Sequence, residues 1–296
     1  MRIFPLALFA ACVACTGGAD AIKPDPRLGE PDTTWQALGD DLYVAIARAG
    51  GKAGSNAGVV VLPSEVLVFD AHFKVEAAEA LGRELQKHFN RPVRWLVFSH
   101  HHVDHTGGRF GFPHDIEIVA HPNAAARLKA VCGASTKNCQ PTRTVPNRFM
   151  LVMGGREFQI LHLGRGHTDG DLVLWMPKER VLFAGDLFVR DHIGYWGDGF
   201  PREWSKTLDR VLELEPRVVV PGHGVPSDSR DVARFRDFIQ FLTGAVERAA
   251  AQGQTVEQIL STLKLPPPYS FWRGQEMFME RNVRRVITER SSHKSN

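Results

Sequence analysis

Long apolar runs are scarce in this chain. Beyond the first fifteen residues none approaches the roughly 20 that a bilayer-crossing helix needs, so the mature chain is expected to carry no transmembrane segment. Charge of one sign is scarce too: 36 Lys and Arg stand against 33 Asp and Glu, a formal net charge of +3. That balance supports neither a nucleic-acid binder nor a polybasic membrane anchor. No Gly-x-Ser-x-Gly elbow occurs, which leaves no serine nucleophile of that kind. No self-similarity at solenoid periods is visible.

Cysteine is limited to Cys12, Cys15, Cys132 and Cys139. The first two fall in a segment that reads as an export leader. Arg2 gives a short positive region, Ile3 to Cys15 is almost wholly apolar, and Ala19-Asp20-Ala21 fits a small-x-small cleavage site. The expectation is a leader over 1–21, a mature chain from Ile22, and a periplasmic protein of a bacterium. Lipidation at Cys12 or Cys15 is the minority alternative, because Phe9 or Cys12 stands where an aliphatic residue is usual. Cys132 and Cys139 are either a disulfide closing a short loop or two unpaired thiols.

What the sequence does have is alternation of short β-like runs and helical stripes from Trp35 to His223. Leu42–Ala47, Gly58–Leu62 and Glu65–Phe69 read as strands. Val75, Ala78, Leu81, Leu85 and Phe89 then form a helical stripe that Asn90-Arg91-Pro92 ends. Val93–Phe98 and 116–120 read as strands, 122–130 as a short helix, and 157–163, 171–176, 180–184 and 217–220 as later strands. Past Ser227, helical spacing returns at Val232–Val246, Val256–Leu263 and Met277–Val286. The chain therefore divides into a leader, a catalytic domain over 22–228 and a C-terminal helical extension over 229–296.

The densest chemical signal is Ser99-His100-His101-His102-Val103-Asp104-His105-Thr106-Gly107-Gly108. Alternate residues His100 and His102 can point the same way as the chain leaves a strand, and the glycine pair lets it bend sharply behind them. Imidazole and carboxylate together suit zinc, and less selectively iron or manganese. A surface histidine cluster would not carry an aspartate and a glycine pair at fixed offsets behind a strand. Three further strand ends carry His167 in Gly164-Arg165-Gly166-His167, Asp186 in Phe183-Ala184-Gly185-Asp186, and His223 in Pro221-Gly222-His223-Gly224.

From about Leu38 to His223 the sequence resembles the metallo-β-lactamase superfamily, through its His-x-His-x-Asp-His motif with distal His, Asp and His. The resemblance implies an α/β fold, a four-layer αββα sandwich. It implies two zinc ions per chain, iron or manganese being the alternatives. His100, His102 and His167 would bind one, Asp104, His105 and His223 the other, with Asp186 bridging and Asp104 also orienting the nucleophile. A hydroxide held between the ions would cleave an ester, thioester, lactone or amide bond in a small molecule. The motif details look close to glyoxalase II and related thioesterases, and the Asn282-Val283-Arg284-Arg285-Val286 helix resembles periplasmic hydrolases of the superfamily. The alternatives are weak β-lactam turnover or a mononuclear iron persulfide dioxygenase. Asp186 stands where true dizinc β-lactamases carry Cys or Ser.

Other residues carry lesser expectations. Asp70, at the end of a strand, is expected to hydrogen-bond a ligand loop. His72 either lines the cleft or faces water; His101 points away; His162 is a core histidine; His121 caps a helix. The aromatic Gly-rich loop carrying Tyr195 and Trp196 either sits at the mouth of the site, where both would contact substrate, or only packs down.

Overall fold

The computed structural model describes residues 31–132 and 140–292. The expected leader (1–21) and Cys139, and with it the choice between a Cys132–Cys139 disulfide and two unpaired thiols, lie outside the described residues.

Two sheets organise the chain. The first runs in sequence order: β1 (Thr33–Gly39), β2 (Leu42–Ala47), β3 (Ala57–Val61), β4 (Val66–Phe69), β5 (Val93–Val97), β6 (Glu117–Ala120) and β7 (Arg143–Thr144). Pairing is antiparallel as far as β4 and parallel from there on. The switch follows from the connections. Short turns join the early strands, whereas α1 (Val75–Phe89) crosses from β4 to β5 and returns the chain parallel. α1 buries Ala77, Ala78, Leu81 and Leu85 and stops at Asn90, whose left-handed backbone (φ 50°) returns its N–H to Gln86 O.

After a single turn, α2 (Val103–Thr106), and then α3 (Pro122–Cys132), the second sheet follows. It comprises β8 (Arg148–Met153), β9 (Arg156–Leu161), β10 (Val173–Met176), β11 (Val181–Gly185) and β12 (Val218–Pro221), paired in reverse chain order. α4 (Pro201–Glu213) crosses from β11 to β12, which pair in parallel. α5 (Ser229–Ala251), α6 (Val256–Thr262) and α7 (Gln275–Ser292) complete the described chain.

Three apolar clusters show the layering. Between the sheets, Leu42, Leu67, Phe69 and Val97 meet Phe158, Leu174 and Phe183. The outer face of the first sheet packs on Ala78, Leu81 and Leu85 of α1 and on Ala124 and Leu128 of α3. The outer face of the second sheet packs on Trp204 and Leu208 of α4, Phe235 and Leu242 of α5, and Val283 and Val286 of α7. The result is helix, sheet, sheet, helix, the four-layer sandwich expected. β3, β4, β10, β11 and β12 are buried along their whole length because both faces are covered, so they read as unbroken apolar runs.

Several elements depart from expectation, β1, β7 and the single turn α2 among them. α4 was not expected, although Trp204, Leu208 and Val211 repeat at helical spacing and are buried, and Pro201 sits at its first turn. β8 was not expected either. It is an edge strand paired only with β9, and it turns Met150 and Val152 outward, against the usual alternation. Among the described residues no helix is long and apolar enough to cross a membrane.

Candidate metal centre

Every expected ligand lies just beyond a strand of the two sheets. β5 delivers His100, His102, Asp104 and His105, the segment after β9 delivers His167, and β11 and β12 deliver Asp186 and His223. The structure brings all seven together in two adjoining groups.

In the first group, His100 Nε2 lies 3.0 Å from His102 Nδ1, and His167 Nε2 lies 2.9 Å from the same atom. In the second, His223 Nε2 is 3.2 Å and His105 Nε2 is 3.5 Å from Asp104 Oδ2. Asp186 stands between the groups. Its Oδ1 is 3.3 Å from His105 Nε2, and its Oδ2 is 3.4 Å from His223 Nε2 and 3.6 Å from His167 Nε2.

Hydrogen bonds on the far side of each ring fix which nitrogen faces inward. Asp70, 1% exposed, accepts from Ser99 N at 2.7 Å, Ser99 Oγ at 2.8 Å and His105 Nδ1 at 2.8 Å. Ser99 Oγ in turn accepts from His100 Nδ1 at 2.9 Å. One carboxylate therefore orients two imidazoles and turns both Nε2 atoms toward the centre. The support role expected of Asp70 is what the geometry shows. Replacing Asp70 by Asn is expected to lower metal affinity by about 10- to 100-fold while the far-ultraviolet circular dichroism stays unchanged. Unchanged affinity in a zinc titration would show that the Asp70 charge does not orient His105.

The remaining loops are tied down similarly. Asn56 Nδ2 donates to Pro221 O (2.9 Å) and Gly224 O (2.7 Å), fastening the His223 loop to β3. Gly222 N donates to Gly185 O at 2.8 Å, and a Cβ on Gly222 would collide with Asp186 Oδ1, so only glycine fits there. Buried Asp171 accepts from Thr168 N and Oγ1 behind His167. Burial pushes the Asp171 carboxyl up to about 8, against those hydrogen bonds. His102 Nε2 lies 2.9 Å from Asp198 Oδ2, so Asp198 holds this ring as Asp70 holds His105. His101 also lies near Asp198, but it joins neither ligand group, as expected.

Charge follows the partners. Burial, with His105, His102 and His167 close by, holds His100 well below the usual histidine range. Burial lowers His167 to about 3 despite Asp186. Burial also opposes protonation of His105 and His223, but carboxylates win there. Asp186, Asp104 and Asp70 raise His105 well above its ordinary value, and Asp186 and Asp104 raise His223 to about 10. Against their own burial, Asp104 and Asp186 are held below the ordinary carboxylate range by His105 and His223.

This donor set fits divalent cations. His105 Nε2 and Asp186 Oδ1 are buried 3.3 Å apart, an ion pair without a well-formed hydrogen bond to any described residue, and both atoms face the centre. His100 Nε2 and His167 Nε2 lie 3.0 and 2.9 Å from His102 Nδ1, and with the His100 proton on Nδ1 toward Ser99 the three nitrogens form a cradle for a cation.

The centre opens into a cavity of about 620 Å³. Arg48 and Gly54 from the β2–β3 connection line one part, and His192, Tyr195 and Asp198 line another. Arg273, Met277 and Phe278, from the C-terminal segment, line it as well. Tyr195 faces His102 at a ring-centroid distance of 5.6 Å, in keeping with contact to a ligand. Trp196 does not share that role. It is fully buried, its Nε1 donates to Ile193 O, and it packs on Trp204 and Phe238. Within the loop Ile193 and Trp196 turn inward and Tyr195 does not. His72 neither lines the cavity nor meets water: it is buried and bonded to Ser55 O at 2.7 Å. His162 donates to Asp171 O but is half-buried just past β9, short of the core position expected; His121 Nδ1 accepts from Asn123 N at the start of α3, as expected. Trp204 packs edge-on against His167 and Ser99 couples His100 to Asp70; neither was singled out from sequence.

Comparison with known proteins agrees with this geometry. Over 217 residues the chain is 25% identical to a metallo-beta-lactamase type 2 of Elizabethkingia meningoseptica, covering 71% of this chain and 86% of that one. Over 163 residues it is 31% identical to the alpha subunit of a 2,4-dinitroanisole O-demethylase of a Nocardioides species, 53% of this chain and 49% of the subunit. A solved stereoselective inverting sec-alkylsulfatase from a Pseudomonas species shares the fold with a TM-score of 0.69 at 18% identity, over 86% of this chain and 50% of its own. The model of the metallo-beta-lactamase superfamily matches residues 50–223. The chain belongs to the metallo-beta-lactamase superfamily.

Proposed function

We propose that this protein is a dizinc hydrolase that cleaves an ester, thioester, lactone or amide bond in a small molecule. One observation carries the reading: seven donor side chains from four strand ends converge as two adjoining groups, with Asp186 facing both. His100, His102 and His167 would hold one ion and Asp104, His105 and His223 the other. A pair of bound divalent cations lowers the pKa of a shared water from about 15.7 toward about 7 and polarises a carbonyl.

The chain's own residues do the rest. Asp104, ionised and on the cavity wall, accepts a hydrogen bond from the attacking water and so fixes its direction. His167 and His100 stay neutral, so their lone pairs remain available across the neutral range. Tyr195 and Phe278 narrow the entrance and shield the reacting bond from bulk water. Export to the periplasm accompanies this reading and rests on Arg2, the apolar run that follows it and the small residues at 19–21.

The experiment is metal quantification on the purified protein, followed by a panel of lactones, thioesters and β-lactams. Near two zinc per chain with lactone or thioester turnover is expected. One iron per chain with oxygen uptake would replace hydrolysis by oxidation, and strong β-lactam turnover would move the protein beside its Elizabethkingia relative.

A further inference from the structure

Arg273 is the residue of this cavity that the proposed hydrolysis does not use. It reaches the site from the C-terminal segment, beyond the stretch 50–223 that matches the family model. Its backbone is locked to the cavity loop on both sides. Arg273 N donates to Asp191 O at 3.1 Å, and Ile193 N donates to Arg273 O at 3.0 Å, pairing His192 with Arg273 as a short parallel bridge. Gly274 follows with φ 84°, and any Cβ there would collide with the His192 ring, so the turn that presents Arg273 admits only glycine.

The side chain itself is uncommitted. Among the described residues the Arg273 guanidinium has no hydrogen-bond or ion-pair partner, whereas Arg190, Arg202 and Arg236 each meet a carboxylate. The charged groups facing the cavity tell the same story. Asp104 and Asp186 belong to the metal donors, and Asp198 is taken by His102. Arg48 has its Nε bound to Thr33 O and, among the described residues, its other nitrogens meet no carboxylate. Two unneutralised cations therefore line a cavity whose carboxylates are all engaged. Beside Arg273 stand Met277, which is 74% exposed, and Phe278. An exposed methionine and an aromatic ring next to a free guanidinium suit an apolar body ending in an anion.

We infer that the substrate is an amphiphilic organic acid, whose carboxylate pairs with Arg273 while its apolar body lies on Met277 and Phe278. This rests on the hydrolase reading for the scissile bond, but the anion pairing is a separate claim. The C-terminal segment then sets specificity, and the strand-end loops supply the chemistry.

The test uses the metal-loaded full chain and two thioesters of equal length, one acyl chain ending in a carboxylate and the other in a carboxamide. The carboxylate is expected to be favoured about tenfold in kcat/KM, expressed in KM, as for a partly exposed charge-assisted pair. In Arg273→Gln that ratio falls toward one, and Arg273→Lys recovers part of it. A parallel calorimetric titration compares 5-phenylvalerate with its amide, and the acid is expected to bind about tenfold more weakly to Arg273→Gln. A ratio near one in the unaltered chain, or one kept in Arg273→Gln, overturns the inference. If neither thioester is cleaved while the titration shows the tenfold loss, the hydrolase reading fails and the anion pairing stands.

Discussion

Replacing Asp186 by Ala is expected to strip the centre of metal and to lower turnover by more than about a hundredfold. The basis for the magnitude is ordinal. Outer partners of metal-binding histidines are worth about 10- to 100-fold in affinity or activity, and Asp186 contacts the donor atoms themselves. Its two oxygens face His105, His167 and His223 within 3.6 Å, so a single truncation takes a donor from both groups. The variant should still fold. Asp70 remains beside His105 and Asp104 beside His223, so neither imidazole is left charged and alone. Elemental analysis and a rate on any active substrate, read together, check this. Full occupancy at a normal rate would mean that Asp186 is a bystander, and the bridging assignment would go with it.

How much of this was legible in sequence depends on where each residue sits. The ligands were legible because each lies just beyond a strand, and β5, β11 and β12 read as short apolar runs bounded by Gly or Pro. Asp70 was legible for the same reason. The side of a loop that a residue faces was not. Trp196 and Tyr195 are neighbours of like composition, yet Trp196 enters the aromatic core with Trp204 and Phe238 while Tyr195 lines the cavity. No local periodicity governs an irregular segment, so which ring turns inward is decided by α4 and α5 beneath it.

α4 is a different kind of omission. Its apolar spacing was present in the sequence, but it follows a Gly-rich loop with only Phe200 and Pro201 between, and no side chain caps its first turn. The cavity wall built by Arg273, Met277 and Phe278 had no signal in the local spacing. Helical spacing in α7 reports the face that packs, through Val283 and Val286, and says nothing about what the helix start overhangs. Asn282 makes that placement specific. Fully buried, it donates to Gly194 O and accepts from Trp196 N, joining α7 to the loop that carries Tyr195. A polar residue on the buried face of a helix was the available clue, and its partner lay 86 residues away.

The two cations are expected to bind with different proton counts. In the metal-free protein near pH 7, His100 and His167 are neutral because burial depresses them. A first zinc ion taken by His100, His102 and His167 therefore displaces no proton from His100 or His167. His105 and His223 are protonated at the same pH, because Asp186 and Asp104 overcome burial and hold His223 at about 10 and His105 well above its usual value. A second ion taken with Asp104 must displace both protons. Its affinity should rise with pH by about tenfold per unit for each proton displaced, the His223 contribution levelling off above about pH 10. The sign for stability follows from the same shift. The His223 pKa rises from 6.5 unfolded to about 10 folded, so its pairing stabilises the metal-free protein fully below pH 6.5 and is lost as pH climbs through 10. The metal-bound chain has already released that proton, so the stabilisation conferred by zinc should widen as pH rises across this window. Zinc titrations in buffers of different ionisation enthalpy count the protons directly. Equal counts for the two ions, or pH-independent binding of the second, would mean that His105 and His223 are neutral and that Asp186 and Asp104 do not hold their charge.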